Sequence, residues 1–145
     1  MIGGEWEGRT LEQVEGVVWP EPDVAATRLV RTVHSLRRKA IGALDVEELR
    51  LLLGQREGVG VLVPRALAVL EQNPLAEGDF YPGDLLVATV RIPNGYWACH
   101  GDSVVRLRSV IEQVEQLSGP SMFLSRIDEF WDRVGELRSA GLLEA

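Results

Sequence analysis

Apolar residues in the last third of the chain recur at spacings of three and four, and this period constrains the fold more than any other feature of the sequence. One stripe consists of Val104, Leu107, Ile111 and Val114, and a second of Phe123, Ile127, Phe130, Val134 and Leu137. Residues three and four apart share one face of an α-helix, whereas a half-buried strand alternates every second residue. The short link Ser118-Gly119-Pro120 lies between the stripes. We therefore predict an antiparallel helical hairpin over residues 102–138.

Helix-start signals occur repeatedly upstream of this segment. The pairs Thr10/Gln13 and Asp45/Glu48 have the spacing of capping boxes, in which each side chain satisfies the other residue's backbone N–H. Asp23 is expected to cap a helix that runs to Lys39. The apolar stripe of that helix would consist of Ala25, Leu29, Val33 and Leu36, flanked by Ala26 and Val30.

Two further segments have helical or ambiguous patterns. The segment 61–72 is predicted as a helix with Pro64 in its first turn, where proline loses no hydrogen bond. Asn73-Pro74 would end this helix. Asp84 could cap a helix over 84–92, although the apolar run there also fits a short buried strand.

These patterns together predict an all-α fold, with one compact domain over residues 1–145 and six to seven helices. The apolar fraction of 46% supports a packed core. Residues 1–22 are predicted as an acidic, partly extended N-terminal arm, because the prolines of Trp19-Pro20-Glu21-Pro22 disfavour helix in the residues before them.

The net charge of −7 is distributed unevenly along the chain. Residues 1–23 contain six acids and one base, whereas residues 24–42 contain five bases and no acid. An acidic protein repels nucleic-acid phosphates and attracts basic partners, so we expect no direct nucleic-acid contact. The basic segment 28–39 is expected to neutralise the acidic arm. The alternative is a basic face that meets an acidic partner or RNA.

Cysteine content and hydropathy indicate where the protein acts. Cys99 is the single cysteine, so no internal disulfide can form. No apolar run has the length of about 18 residues that a membrane-spanning helix requires. The N-terminus lacks the apolar region of a secretory signal. We therefore expect a cytoplasmic protein that does not insert into a membrane.

Catalytic and metal-binding patterns are weak. In Cys99-His100-Gly101-Asp102 a thiol and an imidazole are adjacent, but neighbours on a chain seldom face each other as nucleophile and base do. We favour the interpretation that Cys99 is a loop cysteine beside a solvated His100, over the alternative that the protein is a cysteine-dependent enzyme. His34 and His100 lack the spacing of zinc ligands, and Glu48 is explained as a cap. We predict no catalytic residue, no metal and no cofactor.

The stretch EGDFYPGDLL, residues 77–86, is unusual for a loop because it combines acids with two aromatic side chains. Turns favour Gly, Pro and Asp, but they seldom expose a Phe and a Tyr to water. The stretch is therefore either a buried joint between helices or a surface that meets a partner. Exposure of Phe80 and Tyr81 decides between these readings.

Three blocks carry a family resemblance, namely LEQVEG, LVRTVHSLRRKAIGALDVEELRLLLGQ and LVPRALAVLEQNPLAEGDFYPGDLLVATVRIP with the following Tyr96-Trp97. In their order and spacing the chain resembles the immunity proteins of bacterial contact-dependent growth inhibition systems. The resemblance implies a cytoplasmic protein that binds the C-terminal toxin domain of a delivered effector. Such toxins are commonly nucleases, and immunity implies stoichiometric inhibition without turnover, by a monomer that forms a heterodimer with the toxin.

The resemblance also yields candidate partner-binding residues: Glu77, Asp79, Phe80, Tyr81, Asp84, Tyr96 and Trp97. The acids would supply charge towards a basic toxin, and the rings would supply apolar anchors. Because FYPGD is part of the resemblance, a structural role for Phe80 and Tyr81 is favoured, with Asp84 as a helix cap. The specificity surface would then lie in less familiar parts of the chain, including residues 1–9 and the C-terminal hairpin. The alternative function is a helical adaptor or regulatory protein that binds an acidic partner or RNA through the basic 28–39 face.

Overall fold

The computed structural model describes residues 7–117 and 128–143, and within these ranges it contains α-helices and no β-strand. The helices of the described residues are α1 (Leu11–Glu15), α2 (Arg28–Leu36), α3 (Val46–Gly54), α4 (Val59–Gln72), α5 (Asp84–Val90), α6 (Asn94–Cys99), α7 (Gly101–Gln116) and α8 (Asp128–Ser139). A 3₁₀ turn, Ile41–Ala43, precedes α3. The predicted all-α class is confirmed, but the described residues contain eight α-helices where six to seven were predicted.

Both predicted capping boxes are present. Thr10 Oγ1 accepts from Gln13 N at 3.2 Å, and Gln13 Oε1 accepts from Thr10 N at 3.0 Å. At the start of α3, Asp45 Oδ1 accepts from Glu48 N at 2.8 Å, and Glu48 Oε1 accepts from Asp45 N at 3.0 Å. Each box satisfies two N–H groups that the first turn of a helix leaves without a partner.

The predicted helix over 23–39 is wrong at its start, because α2 begins at Arg28 with Thr27 as its N-cap. Arg31 explains the difference, since its guanidinium donates to the carbonyl oxygens of residues 23, 24 and 26 and so holds them in a non-helical loop. Leu29 and Val30, predicted on or beside the apolar stripe, are 41% and 43% exposed. Burial begins only with Val33 in the second turn.

Helices α4 and α5 also depart from the predictions. Helix α4 begins at Val59, with Gly58 in the left-handed conformation, so Pro64 lies in the second turn and not the first. The ambiguous segment after the loop is a helix, because α5 is buried on nearly every side between α3, α4 and α8. Gly83 occupies the N-cap position of α5, and Asp84 is its first residue. The predicted capping role of Asp84 is therefore wrong.

The core is built around α3, α4 and α5, which pack on one another. Helix α7 packs on α4 and α6, and its predicted stripe is buried. Helix α8 packs on α5, and Arg133 on α8 donates to the carbonyl oxygens of Val90 at 2.7 Å and Ile92 at 2.9 Å. Phe130, Val134 and Leu137 are buried as the period predicted.

The region predicted as a hairpin contains α7 and α8, and Glu115 near the end of α7 pairs with Arg138 near the end of α8 at 3.0 Å. The predicted link Ser118–Pro120 and the stripe residues Phe123 and Ile127 lie outside the described residues. The Glu115–Arg138 pair joins the C-terminal ends of the two helices, whereas an antiparallel hairpin would bring the end of α7 to the start of α8. This contact does not support the antiparallel pairing, which stays a prediction.

Ion pairs fix the N-terminal segment to the two arginines that directly follow α2. Arg37 is 2% exposed, and its guanidinium donates to Glu15 at 2.7 Å, to Glu57 at 3.1 Å and to the carbonyl oxygen of Val17 at 3.0 Å. Arg38 pairs with Glu12 at 3.1 Å and with Glu21 at 3.0 Å. The expectation that the basic segment neutralises the acidic arm is confirmed for these two arginines.

Candidate functional site

The loop 77–84 is organised by the carboxylate of Asp84, which is only 3% exposed. Oδ1 accepts from Gly78 N at 2.7 Å, while Oδ2 accepts from Phe80 N at 3.1 Å and from Tyr81 N at 3.4 Å. The bonds reach backwards along the chain, so Asp84 fixes the loop before α5. A carboxylate suits this role because charge-assisted bonds to N–H groups are stronger than neutral ones.

Two glycines permit this arrangement. A Cβ atom at Gly78 would lie 2.6 Å from Glu47 Oε1 and 3.0 Å from Asp84 Oδ2, so a side chain there would displace both carboxylates. Gly83 has φ of +94°, which lies in the left-handed region that glycine adopts without steric cost. The loop therefore turns into α5 at Gly83 and approaches α3 closely at Gly78.

Helix α3 supplies a second anchor through Glu47 and Arg50. Glu47 Oε1 accepts from Asp79 N at 2.9 Å. The same carboxylate accepts two bonds from Arg50, one from Nε to Oε1 at 2.7 Å and one from Nη2 to Oε2. The Arg50 hydrogen bond holds the pKa of Glu47 below its usual value. Glu47 thus stays ionised and fixes both the loop backbone and the Arg50 guanidinium.

Phe80 is presented to solvent on this fixed loop, with 68% of its surface exposed. The Arg50 guanidinium lies over its ring, 4.5 Å from the centroid. Tyr81 is half-buried against the core, and burial raises the pKa of its hydroxyl. The favoured structural role therefore fits Tyr81 but is wrong for Phe80, whose ring is not part of a buried joint.

The predicted acids of the loop fall into two groups. The Asp84 carboxylate is turned inward to the backbone, whereas Glu77 and Asp79 are exposed beside Phe80. Next to them lies a cleft of about 550 Å³ between α3, α5 and the loop, and its lining includes Arg50, Arg56 and Arg91. The exposed ring thus lines a cleft that contains three arginines, on a loop that also carries two exposed acids.

The other two candidate residues lie elsewhere. Trp97 is 1% exposed and donates from Nε1 to the carbonyl oxygen of Ile92 at 2.9 Å, so it belongs to the core and cannot meet a partner in this conformation. Tyr96 is half-buried and lines a separate cleft of about 1040 Å³ between α4, α6 and α7. Its hydroxyl lies 3.2 Å from Ser103 Oγ, and burial raises its pKa.

The sequence pair Cys99-His100 forms no catalytic arrangement in the structure. His100 stacks on the Tyr96 ring at 4.0 Å, and its Nδ1 lies 2.7 Å from the carbonyl oxygen of Tyr96. Cys99 is exposed. Among residues 7–117 and 128–143, no group of three or more His, Cys, Asp or Glu side chains is arranged to hold a metal ion. His34, the other histidine, is buried.

A comparison with family models identifies the chain. The model of the CDI immunity proteins matches residues 13–107, which extend from α1 into α7. The chain belongs to the CDI immunity protein family. No curated protein and no solved structure matches it. In the part that the structure describes, no helix of this immunity protein is long and apolar enough to cross a membrane.

The matched region of the immunity protein contains the loop 77–84 and its supports on α3 and α5. It also contains the whole basic 28–39 segment, in which Arg37, Arg38 and Lys39 pair with carboxylates of the same chain. These pairs leave less basic charge for an acidic partner or RNA, so the geometry does not favour the adaptor alternative.

Sequence reasoning missed the arginines that border Phe80. These arginines belong to no motif, since Arg56 follows Arg50 by 6 positions and Arg91 follows Arg56 by 35. Only the packing of α3 on α5 brings them together. It also missed Glu47, which lies inside the second capping box but is not one of the two residues that form it. The one available signal was local: Arg56 follows the end of a helix, where glycine is the usual residue.

Proposed function

We propose that this immunity protein binds and neutralises the toxin domain of a cognate contact-dependent growth inhibition effector. It acts as a stoichiometric inhibitor, with one copy bound to one toxin domain and no turnover. Membership of the family supports the general role. The surface centred on Phe80, with Glu77 and Asp79 beside it, is the contact that we assign to the toxin.

The observation that carries this assignment is the exposure of Phe80 on a rigid support. Transferring a phenylalanine ring from water to an apolar pocket is favourable by about 2 kcal/mol, so an exposed ring is a strong potential anchor. Its loop is fixed by four backbone bonds to the carboxylates of Asp84 and Glu47. A partner therefore meets a preformed surface, and binding does not have to order the loop.

A nuclease is the toxin class that the charge favours. A nuclease presents basic residues to nucleic acid, and a protein of net charge −7 is attracted to such a surface over distances of about 10 Å at moderate salt. Attraction at long range raises the association rate, which benefits an inhibitor that must act before the toxin cuts. Glu77 and Asp79 place part of this charge next to the anchor.

The experiment combines protection with binding. The toxin domain encoded immediately upstream is expressed in cells with and without this protein, and growth is measured. The purified pair is then titrated by calorimetry, for which we expect a one-to-one complex. Phe80→Ala is expected to weaken binding about 30-fold, which corresponds to about 2 kcal/mol.

Val24→Ala is the matched control, because Val24 is an apolar side chain that is 94% exposed far along the chain from the loop. It should change the dissociation constant by less than about twofold. Absence of both protection and complex formation would refute the proposed function. Wild-type protection with equal affinity of Phe80→Ala and Val24→Ala would leave the function standing but remove Phe80 from the interface.

A further inference from the structure

The cleft beside Phe80 collects arginines from three elements of the fold. Arg50 comes from α3, Arg56 from the turn after α3, and Arg91 from the residue after α5. Arg56 and Arg91 are exposed, and Arg50 is half-buried, with its guanidinium against the face of the Phe80 ring. A chain with a net charge of −7 thus has a concave basic site next to its exposed ring.

Arg56 occupies a backbone position that normally belongs to glycine. The end of α3 is a Schellman turn, in which Arg56 N donates to the carbonyl oxygen of Leu53 at 3.0 Å and Glu57 N donates to that of Leu52 at 2.9 Å. Arg56 has φ of +58°, and among the described residues it is the one non-glycine residue with positive φ. Non-glycine residues at such angles are strained and concentrate at functional sites.

The three arginines differ in how far they are neutralised. Arg50 pairs with Glu47, and Arg91 pairs with Glu129. Arg56 takes part in none of the ion pairs between described residues, and its guanidinium donates to the carbonyl oxygen of Arg91 at 3.3 Å. The Asp84 carboxylate also lines the cleft but is used by backbone N–H groups. Arg56 is therefore available to an incoming anion.

We propose that this basic cleft receives a carboxylate side chain of the toxin domain, which binds Arg56 while an adjacent apolar group of the toxin covers the Phe80 ring. This inference rests on the proposed function and adds the chemistry of the contact. Arginine suits the role because its planar guanidinium binds a carboxylate through two parallel hydrogen bonds.

A carboxylate fits the surroundings better than a nucleic-acid phosphate. Glu77 and Asp79 lie on the same loop, and the whole chain is acidic, so a polyanion would be repelled on approach. A single acidic side chain on a basic toxin meets no such repulsion. Specificity would follow as well, because a toxin without an acid at this position leaves Arg56 unpaired in the interface.

The test compares two variants that each remove one positive charge. Arg56→Gln deletes the guanidinium and keeps a non-glycine residue at the strained backbone position. Arg28→Gln deletes a guanidinium at an exposed position at the start of α2. Both proteins are titrated with the toxin domain encoded upstream, and their unfolding midpoints are measured to confirm that both fold. We expect Arg56→Gln to weaken binding at least about tenfold and Arg28→Gln less than about twofold.

A charge exchange then identifies the occupant. Arg56→Glu should bind the wild-type toxin domain more weakly still, and one Asp→Lys or Glu→Lys change in the toxin should restore its binding. If the wild type binds the toxin domain and Arg56→Gln and Arg28→Gln bind it with equal affinity, the inference is overturned and the proposed function stands. The inference is also overturned if the wild type binds a single-stranded RNA and Arg56→Gln abolishes that binding. If the wild type binds no toxin domain, the proposed function fails, and the inference fails with it.

Discussion

Replacement of Asp84 by asparagine tests how the loop 77–84 is held. The side chains have nearly the same shape, but the amide has one acceptor oxygen where the carboxylate has two. Its NH₂ group must then face a backbone N–H, either that of Gly78 or those of Phe80 and Tyr81. One face of the side chain would therefore bring two donors together in a buried setting.

The expected loss follows from the bonds that disappear. The amide would keep its oxygen towards Gly78, which lies closest at 2.7 Å, and would leave Phe80 N and Tyr81 N without an acceptor. A charge-assisted bond contributes about 1.5–3 kcal/mol, and a buried donor without a partner costs about 1–3 kcal/mol. The contact at 3.4 Å to Tyr81 is weak. We expect the free energy of unfolding to fall by about 2–4 kcal/mol, a large share of a stability of about 5–15 kcal/mol.

Urea unfolding followed by tryptophan fluorescence measures this change. With a denaturant slope of about 2 kcal/mol per molar, the midpoint should fall by about 1–2 M. Glu77→Gln is the control, because Glu77 is an exposed acid of the same loop, and its midpoint should move by less than about 0.3 M. A decrease for Asp84→Asn no larger than that of the control would show that the loop does not depend on the carboxylate.

Three further predictions concern the supports of the site. Arg50 lowers the pKa of Glu47, so the stabilisation that ionised Glu47 provides is complete above its unfolded pKa near 4.5 and is lost as the pH falls through the lower folded pKa. The difference in unfolding free energy between wild type and Glu47→Gln should therefore shrink below about pH 4.5, and a difference that is constant with pH would contradict this. Arg37→Met should lower the free energy of unfolding by about 3 kcal/mol in urea titrations, because it leaves the carboxylates that now bind the guanidinium without their partner. Arg56→Gly should leave the melting temperature unchanged or raise it, since it relieves the positive φ, and a clear decrease would show that the side chain stabilises the fold.

The helices could be predicted where the determining contacts are local. The capping boxes at Thr10 and Asp45 and the period-3.6 stripe of α7 involve residues at most four positions apart, and all are present. The start of α2 could not be predicted, because Arg31 captures three carbonyl oxygens five to eight residues before it. No sequence pattern distinguishes that arginine from a solvated one.

The candidate site was predicted only in part, for the same reason. The loop itself was found from composition, but the direction of each side chain depends on what lies beneath it. Asp84 faces inward because three N–H groups converge on it, and one face of the Phe80 ring is covered by the Arg50 guanidinium. Trp97 had looked suitable as a contact, yet it fills the core and donates to Ile92.

The bonds that hold the loop determine which side chains position 80 can accept. Residue 80 is fixed through its backbone N–H, which every amino acid except proline provides, and its φ lies outside the left-handed region. The four backbone bonds that fix the loop do not involve the ring. We therefore predict that position 80 accepts other side chains without loss of the loop's shape, so that a combinatorial library at this position could present different recognition groups on the same scaffold.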